Sequence, residues 1–146
     1  MAERTEGSIT IMADKATIMA EIADFESYPE WSSEIRAARV EERDAGGRAI
    51  TVSYEVSAGP IQAKHTLAYS YAPDDGGVAW TFVKGSPIRN FEGEYVLEDD
   101  GDATLVTYRA TIDPGIPMLG FLKRQAERKI IDTALKGLKK RVESTS

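Results

Sequence analysis

The chain has 146 residues, a net charge of −6, 42% hydrophobic and 29% charged residues and no cysteine. Its length suits a single soluble domain over residues 1–146 that buries roughly 70% of the surface its unfolded chain would expose. Without cysteine there are no disulfides, thiolate metal sites or cysteine nucleophiles, and no apolar run approaches the about 20 residues that span a bilayer. Residues 1–6 lack the basic and apolar regions of a secretory signal, so a cytoplasmic setting is expected.

Residues 7–13 read as a first strand. Asp14 suits an N-cap for a helix through Ala23, with Ala16, Met19, Ala20 and Ala23 on one face. The stretch Ala23-Asp-Phe-Glu-Ser-Tyr-Pro-Glu-Trp31 then predicts two short helices bent around a corner, the first ending at Phe25 and the break enforced by Pro29. Proline cannot continue an intrahelical hydrogen bond. Such a bent pair suits a plug for one end of a curved sheet.

Beyond Trp31 the apolar period becomes two. Ile50, Val52, Tyr54 and Val56 alternate with Thr51, Ser53 and Glu55, and Ile61, Ala63, His65, Leu67, Tyr69 and Tyr71 with Gln62, Lys64, Thr66 and Ser70. Val78, Trp80 and Phe82 continue the pattern, then Phe91, Gly93, Tyr95 and Leu97, then Val106, Tyr108, Ala110 and Ile112. Turn signals at 44–47, 59–60, 73–77, 85–87 and 99–102 divide strands two to seven into a meander. A two-residue turn at Gly59 and Pro60 sets Glu55 opposite Lys64 on the outer surface and Tyr54 opposite His65 on the inner one; a turn over 99–102 sets Glu92 opposite Arg109.

The chain closes with a long helix. Pro114 and Pro117 suit its approach and first turn, and Leu119, Leu122, Ala126, Ile130, Ala134, Leu138 and Val142 recur at spacings of three or four. A helix over 117–142 runs about 39 Å, enough to cross a curved sheet, and Gly137 within it indicates close backbone approach. Residues 117–146 hold 8 basic and 3 acidic residues, a balance of +5 that leaves −11 for residues 1–116. Lys136, Lys139, Lys140 and Arg141 complement the helix macrodipole, so a solvated helix end is expected, with contact to RNA, a ribosome or an anionic membrane surface as the alternative.

This order of elements resembles the START-like, helix-grip superfamily, and within it the polyketide cyclase/dehydrase branch. The likeness rests on Asp24-Phe-Glu-Ser-Tyr-Pro-Glu-Trp31, Val78-Ala-Trp-Thr-Phe82, Phe91-Glu-Gly-Glu-Tyr-Val-Leu97, Thr104-Leu-Val-Thr-Tyr108 and Asp113-Pro-Gly-Ile-Pro117. The resemblance implies an α+β helix-grip fold: a seven-stranded curved antiparallel sheet wrapped around a long C-terminal helix, with two short helices between strands 1 and 2. It also implies a cavity between sheet and helix for a lipophilic molecule. A related quinone-binding and ribosome-associated branch is disfavoured, because Tyr28-Pro29-Glu30-Trp31 does not extend into the Pro-Trp-Cys pattern of that branch; nucleic acid and ribosome are therefore not the expected partners.

Strand parity turns Tyr54, His65, Tyr69, Trp80, Phe91, Tyr95 and Tyr108 inward, an aromatic wall with polar tips that need hydrogen-bond partners. His65, the single histidine, is the first candidate: it would bond a ligand carbonyl or phenol, or exchange protons near neutrality. Its bland alternative is a core histidine bonded to Tyr54 or to a backbone carbonyl. Leu122 and Lys123, near the helix start, complete the candidate ligand-binding set, Lys123 either guarding a mouth or covering apolar surface with its stem. Glu92 and Glu94 read as a solvated outer face. Phosphate-cradling glycine motifs and a G-x-S-x-G elbow are absent, Ser53 and Ser57 face away from His65, and one histidine offers no metal set. The leading expectation is binding of a hydrophobic lipid, polyketide or aromatic-like molecule without a cofactor. The alternative is an aromatase/cyclase or dehydratase in which His65 and Tyr54 relay protons. Oligomeric state is not specified by these features.

Overall fold

The computed structural model describes residues 4–58, 61–117 and 119–144. Strand β1 (Thr5–Ile11) leads into helix α1 (Lys15–Ile22), a 3₁₀ turn (Phe25–Ser27) and helix α2 (Tyr28–Trp31). The meander follows as β2 (Ile35–Arg43), β3 (Ala49–Ala58), β4 (Ile61–Tyr71), β5 (Gly77–Ser86), β6 (Asn90–Asp100) and β7 (Ala103–Asp113), and helix α3 (Gly120–Ser144) closes the chain. The seven strands form one antiparallel sheet in the order β1-β7-β6-β5-β4-β3-β2, the helix-grip arrangement expected from sequence.

Asp14 caps α1 as expected, its carboxylate accepting the Thr17 backbone N–H at 2.8 Å. The corner differs in detail. Helix α1 ends at Ile22 rather than Phe25, and the chain leaves helical geometry at Asp24, with φ −87° and ψ 66°. Pro29 does not make the break: it sits in the first turn of α2, where its missing N–H would have no intrahelical acceptor anyway. The Tyr28 hydroxyl donates back to the Ile22 carbonyl, satisfying a free acceptor at the end of α1. The buried side of α1 is Ile18, Met19 and Ile22, while Ala16 and Ala20 face solvent; larger side chains with more apolar area to bury set the rotation of the helix.

Tyr54 lies opposite His65 and Glu55 opposite Lys64, as the expected register requires, and the latter pair closes to 3.2 Å on the outer surface. The Gly59-Pro60 turn itself lies outside the described residues. In the β6–β7 hairpin the partner of Arg109 is Glu94, not Glu92. Asp100 faces Ala103, so the turn is only Gly101 and Asp102, and Gly101 takes φ +65°, which a glycine adopts without steric penalty. The shift is two residues, so parity is kept. Arg109 meets Glu94 at 3.7 Å and Glu6 at 3.5 Å.

Helix α3 packs on β1 and β7. Its buried line is Glu127, Ile131, Leu135, Leu138 and Val142, with Ile130 and Ala134 half-buried beside it. Leu119 and Leu122, expected at the head of the apolar stripe, are exposed. Glu127 instead anchors the first turns: 3% exposed, it accepts from the Thr5 hydroxyl at 2.7 Å and the Ile112 backbone N–H at 3.0 Å. Further along, a Cβ on Gly137 would lie 3.0 Å from the Trp31 ring, which accounts for the glycine. The basic end is less solvated than expected. Lys139 donates to the Thr10 carbonyl at 2.7 Å and to Glu143 at 2.8 Å, and Arg141 meets Glu21 at 3.4 Å and Glu30 at 3.2 Å; Lys136 and Lys140 are exposed. Among the described residues, no helix is long and apolar enough to cross a membrane.

Replacing Glu127 by Ala leaves the Ile112 N–H and the Thr5 hydroxyl under the helix without an acceptor. Urea unfolding should show a loss of about 1–3 kcal/mol, and Glu127→Gln, which keeps a carbonyl, should lose less. An unchanged midpoint for Glu127→Ala would show that the clasp does not hold the helix.

Candidate ligand-binding cavity

Between the concave sheet face and α3 lies a mainly apolar cavity of about 120 Å³. The alternation of β3 to β7 supplies one wall: Tyr54, His65, Tyr69, Trp80, Phe91, Tyr95 and Tyr108 all line it. Ile130, Thr133 and Ala134 of α3 form the opposite wall, and Tyr28, Trp31 and Ile35 close the end at the α2 corner. Leu122 and Lys123 take no part. Helix α3 begins beyond the supporting strands, so Leu122 stands 40% exposed and the Lys123 ammonium lies 4.0 Å from Glu127.

Sequence reasoning gave Ile112 the parity of Tyr108 without assigning it to the site; it missed Ile88, which sits in the β5–β6 connection outside any alternation, and the α3 residues, because the rotation of the helix against the sheet is set by tertiary contacts. Tyr28 and Trp31 carried the visible signal, an aromatic pair at a corner, without showing that both rings turn toward the cavity. Glu34, half-buried in the α2–β2 connection, is the one carboxylate among the described lining residues.

The aromatic rings contact one another in series. Tyr54 stacks on His65 with centroids 5.3 Å apart and planes at 29°, and His65 meets Phe91 edge-on at 5.7 Å. Phe91 meets Trp80 at 5.7 Å, Trp80 meets Tyr108 at 5.3 Å and Tyr108 meets Tyr95 at 4.8 Å, each near edge-to-face. These are the offset and T-shaped arrangements that ring quadrupoles favour.

The polar tips divide into satisfied and unsatisfied. The Tyr54 and Tyr69 hydroxyls bond each other at 2.5 Å. Burial holds the phenols of Tyr54, Tyr69, Tyr95 and Tyr108 above their usual range, so none ionises near neutrality. By contrast His65 Nδ1, Trp31 Nε1 and Trp80 Nε1 are buried with no hydrogen-bond partner. His65 does not bond Tyr54 as a satisfied core histidine would; it stacks on that ring. Burial also pushes its pKa down to about 4, so the imidazole is neutral at pH 7 and does not exchange protons there. Among the described residues, no group of three or more His, Cys, Asp or Glu is placed to hold a metal ion.

A curved antiparallel sheet gripping one long helix defines the START-like, helix-grip fold. A family model described as polyketide cyclase / dehydrase and lipid transport matches residues 2–143, and the chain belongs to that family. No curated protein matches it in sequence. Among solved structures, a START superfamily protein from Mycobacterium smegmatis superposes with a TM-score of 0.91 at 21% identity, covering 98% of this chain and 99% of its own. The Zhui aromatase/cyclase from Streptomyces sp. R1128 gives a TM-score of 0.75 at 13% identity over 97% of this chain and 93% of its own. A STAR-related lipid transfer protein from Xanthomonas axonopodis gives 0.71 at 17% identity, over 96% of this chain and 85% of its own. At such identities the likeness establishes the fold alone.

The depressed pKa of His65 links to stability. Between pH 6.5 and about 4 the unfolded chain holds a proton on this imidazole that the folded protein does not. Stability is therefore unaffected by His65 above that window and falls as pH drops through it, by on the order of 3 kcal/mol in total. Unfolding midpoints measured from pH 7 to 4 should fall less steeply for His65→Gln than for the parent. An imidazole seen by NMR to titrate near 6.5 in the folded protein would contradict its burial.

Proposed function

We propose that the protein binds a small hydrophobic molecule, aromatic in part and bearing at least one oxygen, in the cavity between the sheet and α3. The observation that carries this reading is the set of unpaired nitrogens on aromatic lining residues. A buried polar atom without a partner costs about 1–3 kcal/mol, and three of them, on His65 and Trp80 of the sheet wall and Trp31 of the α2 corner, belong to residues that line this one cavity. A ligand carbonyl or ether oxygen would accept from an indole N–H, and a ligand hydroxyl would serve the imidazole nitrogen. Tyr54, Tyr69, Phe91, Tyr95 and Tyr108 would supply ring contacts.

Size narrows the class. About 120 Å³ is close to the roughly 150 Å³ of an apolar cavity that takes up benzene, so a single ring fits the cavity as it stands. A polyketide or lipid chain needs the α2 corner or α3 to move. The names of the two relatives above, an aromatase/cyclase and a lipid transfer protein, agree with a hydrophobic class of ligand.

The protonation of His65 and Tyr54, the pair that would relay protons, favours binding over the cyclase or dehydratase alternative. A general acid or base works best with a pKa near the operating pH. His65, at about 4, and phenols raised by burial offer no such group at neutrality.

Titration calorimetry with a one-ring aromatic ketone and with a hydrocarbon of the same shape tests the reading. The ketone should bind saturably, and Trp80→Phe, which keeps one aromatic ring but removes the N–H and part of the indole surface, should weaken the ketone about fivefold more than it weakens the hydrocarbon. No saturable binding of either compound, together with no small molecule retained in native mass spectrometry of protein from its source, would sink the proposal; conversion of an added poly-ketone, lost in His65→Gln, would favour the enzyme.

A further inference from the structure

The passage from β7 into α3 carries apolar surface that neither the core nor the cavity uses. Ile116 is 46% exposed, Leu119 64%, Phe121 54% and Leu122 40%, four of the six large hydrophobic residues exposed among the described residues. Single exposed apolar side chains are ordinary, but a concentrated group indicates a partner.

Charge indicates which partner. Leu122 stands on the side of α3 away from the buried Ile131, Leu135 and Leu138. Seven residues are nearly two full helical turns, so Lys129 and Lys136 follow Leu122 on that same outward side. Both lysines are exposed, and neither forms an ion pair among the described residues. An apolar tip thus continues into a row of free cations. We propose that this end of the molecule docks on an anionic lipid surface, with Leu119, Phe121, Leu122 and Ile116 entering the boundary between headgroups and acyl chains and Lys129 and Lys136 meeting the headgroup charges.

Side chains of this kind at an interface gain by burial of apolar area, and each lysine near an anionic leaflet adds electrostatic attraction. The charge asymmetry fixes the orientation: a segment of +5 faces the surface while a body of −11 is repelled from it. Nucleic acid fits less well, because Ile116, Leu119 and Leu122 are aliphatic and only Phe121 of the four offers a ring on which a base could stack. A second copy of the chain fits less well too, since two such faces would bring like charges together. The apolar part of the docking stretch, residues 116–122, runs between Ile112 and Ile130, both of which line the cavity, so the membrane would meet the protein beside it. The proposal does not depend on what the cavity holds.

Flotation of the full chain with vesicles of phosphatidylcholine alone, and of phosphatidylcholine with phosphatidylserine, tests it. The parent should bind the phosphatidylserine vesicles, less as salt rises. Leu119→Ser with Phe121→Ser, and separately Lys129→Glu with Lys136→Glu, should each weaken binding by roughly tenfold or more. Thermal unfolding of both variants should match the parent, because these side chains are exposed, and Trp80→Phe should bind vesicles as the parent does. The proposal fails if the parent ignores phosphatidylserine vesicles or if the serine variant binds them undiminished. It fails equally if the lysine variant instead abolishes salt-sensitive RNA binding, or if the serine variant dissolves a dimer seen by light scattering.

Discussion

One helix cannot fill the concave side of seven strands. Strands about 4.8 Å apart make a sheet roughly 30 Å wide, whereas a helix with its side chains is about 10 Å across. Helix α3 lies against β1 and β7, where Glu127 fastens it to Thr5 and Ile112. The inner face of β3, β4 and β5 is left to other means. Tyr54, His65, Tyr69 and Trp80 reach inward there, Tyr28 and Trp31 lean over from the corner, and the space they fail to fill is the cavity. The cavity thus follows from a mismatch of widths, and its aromatic walls follow from the need for side chains long enough to span the gap.

The same constraint explains which features were legible in the sequence. A strand turns alternate side chains to the same face whatever its partner, so the inward set could be read without knowing the register. The β6–β7 hairpin illustrates this: Glu92 was expected opposite Arg109 and Glu94 is found there, yet Tyr95 and Tyr108 remain inward because the error is two residues. Strand β2 had no clean period to read, since its pairing with β3 shifts between Ile35 and Ala37 and again between Val40 and Glu42. Bulges of this sort place successive residues on the wrong face for simple alternation.

Helix faces were harder, because apolar period gives a stripe but not what supports it. The stripe begins at Leu119 in the sequence and at Glu127 in the fold, since the helix starts beyond the strands that cover it. Glu127 itself reads as a surface carboxylate; its burial is decided by Thr5 and Ile112, 122 and 15 residues away. The state of His65 was equally hidden. A lone histidine at an inward position allows a charged or a neutral imidazole, and only the assembled ring of aromatic neighbours excludes enough water to settle the neutral form.

The hairpins keep two kinds of business on opposite faces: Glu55 with Lys64 and Glu94 with Arg109 outside, and aromatic rings inside. Changes that reshape the inner wall leave the outer pairs and the backbone ladder untouched. Such a sheet is well suited to divergence. The chain path is kept in solved structures at 21% and 13% identity, so geometry outlasts sequence by a wide margin.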